Sequence, residues 1–112
     1  MRETIRNKGR LEHILDAIDN ALKFTENVCF EEYKTNVMLR YAVVKCVEII
    51  GEASYKLTNE FREQHPEINW RDIISMRHIL VHGYYQIEDQ VIWDVVIDYL
   101  PLLKEQILKI TQ

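Results

Sequence analysis

The stretch from Phe30 to Thr58 constrains the fold more than any other part of the chain. It contains no proline and only one glycine, Gly51, and a segment of this length with so few breakers is expected to be a helix. Its apolar residues form two stripes on nearly opposite sides. One stripe is Leu39, Val43, Cys46, Ile50, Ala53 and Leu57, and the other is Val37, Tyr41, Val44, Gly51 and Tyr55. A helix that is apolar on two sides must bury both, so we expect one stripe in the core and the other against a second copy of the chain.

Helical periodicity also marks the segment before this stretch. Apolar residues recur at intervals of three and four from about Thr4 to Thr25, which predicts an amphipathic first helix. Glu26 to Cys29 is expected to be a short connection. His13 lies off the apolar stripe of the first helix and is interpreted as a surface residue. The basic residues at the start of the chain, which usually indicate a solvated helix end, are Arg2, Arg6, Lys8 and Arg10.

Two more helices are predicted after the long stretch. Residues 59–69 include Pro66 and are expected to form an irregular turn. A helix then starts at Trp70 and is expected to end near His82, because Gly83 follows and glycine just after a helix commonly terminates it. The last helix is expected to start at Glu88 and Asp89 and to continue to the C-terminus, with a kink or a new segment at Pro101.

Composition sets the fold class and limits the function. With three glycines, two prolines and 47% hydrophobic residues in 112 positions, the chain is too poor in breakers for many turns and too apolar for disorder. We predict an all-α fold in one domain, residues 1–112.

The chain shows no signal peptide and no apolar run of about 18 residues, so we expect a cytoplasmic protein without a membrane span. A net charge of −4 argues against broad nucleic-acid binding but allows a small cationic cleft. Cys29 and Cys46 lack CxxC spacing and are predicted to be buried free thiols.

The run from Met76 to Tyr85 contains the residues best suited to chemistry. Arg77 is a planar cation that matches phosphate oxygens, and His78 and His82 can exchange protons near neutral pH. This combination suits RNA cleavage. On an ideal helix, however, Arg77 and His82 are separated by about 7.5 Å of rise and point about 140° apart. A site therefore requires that the helix end near His82 or that a second subunit complete it.

The same residues allow other interpretations. Spacing of i and i+4 allows His78 and His82 to share a metal ion, but Ile79 occupies the position of the glutamate in HExxH, and no metal or other cofactor is predicted. The chain has no GxSxG, Walker-type or GxGxxG motif, which removes the usual hydrolase, nucleoside-triphosphatase and dinucleotide-binding classes. By residue type and spacing alone, a purely structural role for Arg77 and the two histidines is about as well supported as a functional one.

Arg77 is predicted to lie among apolar residues, where its charge would need a partner. Arg77 falls within the apolar stripe of its helix, and two acids, Glu48 and Glu52, flank Gly51 on the long helix. Either these acids are ordinary surface residues, or one of them pairs with Arg77. Removing one partner of a buried pair of this kind would cost about 3–5 kcal/mol.

One pattern in the chain resembles a known family. The run Arg77-x-x-x-x-His82-x-Tyr84 is similar to the Arg-x4-His-x-Tyr signature of the HEPN superfamily (higher eukaryotes and prokaryotes nucleotide-binding), in particular its HepT-like toxins. The resemblance extends over nearly the whole chain. The other segments that carry it are Arg10–Leu15, Ile49–Ala53, Trp70–Ile74, Val91–Asp94 and Leu100–Leu103.

The resemblance implies a structure and a function. It implies an antiparallel bundle of four to five helices that forms a homodimer and acts as a metal-independent ribonuclease, the toxin partner of a minimal nucleotidyltransferase antitoxin. Arg77 would hold the scissile phosphate and His82 would transfer a proton. His78, which stands where the family commonly has asparagine, is a possible auxiliary. Tyr84 matches the tyrosine to which the antitoxin transfers AMP, and Tyr85 is its neighbour.

The implied chemistry agrees with the residue types. RNA can be cleaved without a metal when its own 2′-hydroxyl attacks the adjacent phosphorus, provided that a base removes the proton and a cation stabilises the phosphoryl oxygens. The alternative is a non-catalytic helical subunit that binds a nucleotidyltransferase or its nucleotide.

Overall fold

The computed structural model describes residues 2–83 and 87–111, with side chains from Ile5 onward, and within these ranges every regular element is helical. The elements are α1 (Arg2–Phe24), α2 (Phe30–Thr35), α3 (Val37–Lys56), α4 (Asn59–Gln64), α5 (Trp70–Gly83), α6 (Asp89–Asp94), a π-helical segment (Val95–Tyr99) and α7 (Leu100–Thr111). The last three follow one another without a break. The prediction of an all-α fold is confirmed.

Helices α1 and α3 lie antiparallel. Asn7 near the start of α1 donates from Nδ2 to Thr58 Oγ1 at 3.2 Å and accepts from the Thr58 N–H at 3.3 Å, just beyond the end of α3. Farther along α1, Asp19 contacts Lys104 of α7 at 2.7 Å. The apolar stripe of α1 is buried between these two helices, with Ile14 and Ile18 fully inaccessible. The predicted first helix is confirmed.

The prediction of one unbroken helix from Phe30 to Thr58 is wrong at Asn36. This residue has an extended conformation (φ −101°, ψ 98°), and its side-chain Oδ1 accepts a hydrogen bond from the Leu39 N–H at 3.0 Å. Asparagine is a strong N-cap because its short polar side chain satisfies a free N–H of the first turn. The helix therefore stops after α2 and starts again as α3.

The two stripes of α3 have different surroundings. Val43, Cys46 and Ile50 are buried in the core, as predicted. On the other stripe Gly51 is also buried, whereas Tyr41 remains exposed. The second stripe thus meets α5 at Gly51 and is half-buried at Val44, whereas its other residues are exposed to solvent.

The segment predicted to be an irregular turn is half helical. Thr58 accepts from the Phe61 N–H at 3.2 Å and caps the short helix α4. The irregular part is confined to residues 65–69, where Trp70 Nε1 donates to the His65 carbonyl at 3.0 Å. The threonine cap explains the difference, since it provides a helix start that Pro66 does not disturb.

The disturbance predicted at Pro101 takes the form of a π-helical turn just before it. The Leu100 N–H bonds to the Val95 carbonyl, five residues back. Proline has no N–H, and its ring crowds the preceding turn of a helix. The wider π turn accommodates this ring, and α7 continues to Thr111.

Several smaller predictions have mixed outcomes. Both cysteines are free, but only Cys46 is buried, because Cys29 is the residue before α2 and is exposed. His13 is exposed, as predicted. Burial of Tyr33, which packs against Trp93, raises its pKa to about 12. No helix within the described residues is long and apolar enough to cross a membrane.

Candidate functional site

Arg77 lies at a close contact between α3 and α5. A Cβ atom placed on Gly51 would be 2.2 Å from Arg77 Cβ and 3.0 Å from the Ile73 carbonyl oxygen. No side chain fits at position 51 without moving one of the two helices. The glycine inside α3, which would otherwise cost about 1 kcal/mol relative to alanine, is explained by this contact.

Glu52 is the acid that lies beside Arg77. Its Oε2 is 3.8 Å from Arg77 Nη2, and its Oε1 is 3.4 Å from Lys56 Nζ. Glu48 instead contacts Lys45 at 3.7 Å. The side chains of Arg77 and Glu52 are 31% and 50% exposed, so solvent screens the pair and its contribution is below about 1 kcal/mol. The cost of 3–5 kcal/mol considered for a buried pair does not apply.

The guanidinium of Arg77 is only partly satisfied. Its Nε is buried and has no hydrogen-bond acceptor among the described residues. Buried N–H groups in native proteins nearly always have a partner. Arg77 is therefore a partly exposed cation, and its buried Nε–H is a donor without an acceptor among the described residues.

The two histidines form a second group on α5. His78 and His82 are both exposed, and their ring centroids are 4.7 Å apart. This contact is the expected result of i and i+4 spacing on a helix. His82 lies in the last described turn of α5, and Gly83, expected just after the helix, is still helical and is the last residue described before position 87.

The structure does not bring Arg77 and His82 together within one chain. Arg77 packs toward α3, whereas the histidines face solvent, and within the described ranges no hydrogen bond or ion pair joins Arg77 to either imidazole. The spacing of five residues, about 140° around the helix, is the cause. Tyr84 and Tyr85 lie outside the described residues, so the predicted AMP acceptor has no assigned position here.

A family model described as ribonuclease HepT-like matches residues 14–110. The match covers most of the chain and includes Arg77, His78, His82 and Tyr84. The chain belongs to the HepT-like ribonuclease family. The predicted resemblance and the predicted class of enzyme are confirmed at this level.

Individual relatives agree with the family. The HepT-like chain is 38% identical to a protein of Thermococcus cleftensis named as a probable ribonuclease HepT, over 93% of this chain and 94% of the relative. It is 36% identical to a Methanocaldococcus jannaschii protein named as an RNase, over 89% and 92% of the two chains. A Caldanaerobacter subterraneus protein, also named as an RNase, is 35% identical over 91% of each chain. Among solved structures, none gives a significant match.

The candidate site offers His78 and His82 as potential metal ligands. Within residues 2–83 and 87–111, no group of three histidine, cysteine, aspartate or glutamate side chains is placed to hold an ion. His78 and His82 form only a pair. The reactive groups at the candidate site, among the described residues, are the Arg77 guanidinium and the imidazoles of His78 and His82.

Three basic residues near the site were not connected with it from the sequence, where Arg10 and His13 were interpreted only as surface residues. Lys56 contacts the same carboxylate as Arg77, and Arg10 and His13 of α1 line a groove that includes Glu52. The spacing from Glu52 to Lys56, i and i+4 on a helix, is a signal that could have identified the first. Nothing local in the sequence links Arg10 or His13 to α3.

Proposed function

We propose that this HepT-like protein is a metal-independent endoribonuclease that uses Arg77 and His82. One observation carries the proposal: Arg77 is a partly exposed cation held against α3 by the close contact at Gly51, and solvent-facing imidazoles follow on the same helix. Membership of a family described as ribonucleases supports it.

The reaction follows from these groups. His82 removes the proton of the 2′-hydroxyl, which attacks the adjacent phosphorus, and the bond from phosphorus to the 5′-oxygen breaks. The products are a 2′,3′-cyclic phosphate and a 5′-hydroxyl, the latter after a proton is returned to the leaving oxygen. Arg77 stabilises the charge that develops on the non-bridging oxygens. His78, in contact with His82, serves as an auxiliary proton carrier.

The active form is a homodimer. Arg77 and His82 diverge on α5, so a second chain is needed to place an arginine beside a histidine. Exposed apolar residues on α3 support such an interface: Val37, Met38 and Tyr41 are 55%, 82% and 62% exposed. Tyr41 also shares a groove with Val81 of α5. An apolar patch of this kind on two adjacent helices is typical of a surface that meets a partner.

The dimer is the toxin of a toxin–antitoxin pair, and the antitoxin is a minimal nucleotidyltransferase that transfers AMP to Tyr84. The adduct adds bulk and negative charge, which would repel the phosphates of RNA. Co-expression with the transferase should increase the mass of the protein by one or more AMP units, and Tyr84→Phe should abolish the increase. Labelling that persists in Tyr84→Phe would exclude Tyr84, and Tyr85→Phe would then be tested.

Alanine substitutions test the proposed catalytic residues. Arg77→Ala and His82→Ala should each remain folded and lower the rate of RNA cleavage by about a hundredfold or more. Arg71→Ala is a matched control, since Arg71 is an exposed arginine at the other end of α5. Cleavage at the wild-type rate in both variants would refute the proposal, and RNA left intact by the wild type would favour a non-catalytic subunit.

A separate experiment tests the dimer. Tyr41→Asp combined with Met38→Asp should give monomers in analytical ultracentrifugation and lower cleavage together with dimer content. Ile97→Asp is the control, because Ile97 is also an exposed apolar residue but lies in the π-helical segment. A dimer that persists in the double variant would place the interface elsewhere.

A further inference from the structure

A groove of about 360 Å³ lies between α1 and α3, beside the candidate site. It is lined by Arg10, His13, Ile49, Glu52, Ala53 and Lys56. Two of these residues are cations, and one, Glu52, is an acid. The proposed catalytic residues do not account for this groove.

The charge of Glu52 in this groove is already compensated. Its two carboxylate oxygens face Lys56 Nζ at 3.4 Å and Arg77 Nη2 at 3.8 Å. The groove lining has two cations, Arg10 and Lys56, against one acid, Glu52, and Arg77 contacts that acid from outside the lining, so this set of side chains is formally positive although the whole chain carries −4. A concave surface with an excess of one charge attracts ligands of the opposite charge.

Glu52 also makes the groove continuous with the site. It lines the groove and at the same time contacts Arg77. An RNA strand with its scissile phosphate at Arg77 would therefore have neighbouring phosphates directed toward the groove that Lys56 and Arg10 line. Ile49, 38% exposed, and Ala53 give this path an apolar wall against which a ribose could pack.

We propose that this groove binds the sugar-phosphate backbone of the RNA substrate on one side of the cleaved bond. Arg10 and Lys56 contact phosphates, and His13 supplies a further nitrogen from α1. The residues position the strand and take no part in proton transfer. The inference rests on the proposed ribonuclease function but has a readout independent of cleavage.

Binding of an uncleaved RNA tests the proposal. In the full-length His82→Ala protein, a fluorescent single-stranded RNA of about 15 nucleotides is titrated at several salt concentrations. Adding Arg10→Gln and Lys56→Gln should weaken binding about tenfold or more. The slope of log affinity against log salt should become shallower by about 1.4, since each phosphate contact on a single strand contributes about 0.7.

A matched control separates the groove from net charge. Arg71→Gln with Lys109→Gln also removes one arginine and one lysine, both exposed and outside the groove, and should change the slope less. In the wild-type background the groove variant should raise KM for RNA, whereas Arg77→Ala lowers kcat. Urea unfolding of each variant verifies that the fold is intact.

The outcomes distinguish the two proposals. Affinity and salt slope equal to those of the control variant would overturn the groove assignment, as would an absence of RNA binding by the His82→Ala protein. Loss of binding in the groove variant, together with a wild-type protein that leaves RNA intact, would support the groove and refute the nuclease.

Discussion

Arg77 and the two histidines share helix α5 but are held in different ways. Arg77 is fixed by another helix, through the close approach at Gly51 and the contact with Glu52. His78 and His82 are exposed, and the contact described between them lies within their own helix. Tertiary packing therefore fixes the position of Arg77, whereas the contact between the two imidazoles follows from their i and i+4 spacing on one helix. Changes in α3 should thus alter Arg77 and leave the histidines in place.

The largest effect on stability is expected from Gly51→Ala. The added methyl group would lie 2.2 Å from Arg77 Cβ, so α3 and α5 must separate. We expect unfolding free energy to fall by roughly 1–3 kcal/mol, even though alanine favours a helix by about 1 kcal/mol. The displacement of Arg77 should also lower cleavage by about tenfold or more. Urea unfolding and an RNA cleavage assay measure the two effects.

Gly9→Ala is the matched control for that variant. Gly9 lies within α1, and an added Cβ would meet nothing within 4 Å. Stability should rise by up to about 1 kcal/mol, with cleavage unchanged. If Gly51→Ala stabilised the protein as much as Gly9→Ala does, the close contact between α3 and α5 would be contradicted.

A smaller effect is expected from His78→Asn. His78 touches His82, with ring centroids 4.7 Å apart, and serves as an auxiliary in the proposed reaction. The rate of cleavage should fall by roughly three- to tenfold, less than the loss in His82→Ala. Stability should hardly change because both side chains are exposed. A loss equal to that of His82→Ala would make His78 a principal catalytic residue.

The smallest effect is expected from Glu52→Gln. The substitution retains the size of the side chain but removes the charge that faces Arg77 and Lys56. Because both ion pairs are partly exposed, stability should fall by less than about 1 kcal/mol, and added salt should reduce the difference. Denaturation at low and high salt measures this. A loss of about 3 kcal/mol would show that the pair is buried in the assembled protein.

The helices could be predicted from the sequence wherever the local pattern was strong. The apolar stripe of α1 indicated that helix correctly, and Trp70 was correctly predicted as the start of α5. The break at Asn36 was missed because an apolar pattern continues across it, and the signal was one capping side chain. Thr58 provided the start of α4 in the same way.

The candidate site was less accessible to prediction. Glu48 and Glu52 are four residues apart and nearly equivalent on a helix, so only the register between α3 and α5 decides which lies beside Arg77. The groove between Arg10 and Lys56 depends on the packing of α1 against α3, which no local pattern specifies. By contrast, the divergence of Arg77 and His82 follows from helix geometry alone, and this divergence led to the proposed dimer.

The most direct test of the central claim is the identity of the cleavage products. The wild-type protein is incubated, in the presence of EDTA, with end-labelled RNA and with DNA of the same sequence. We predict that RNA is cleaved to fragments ending in a 2′,3′-cyclic phosphate and that DNA is left intact, since it lacks the attacking hydroxyl. Cleavage of both substrates, or activity that EDTA abolishes, would contradict the account.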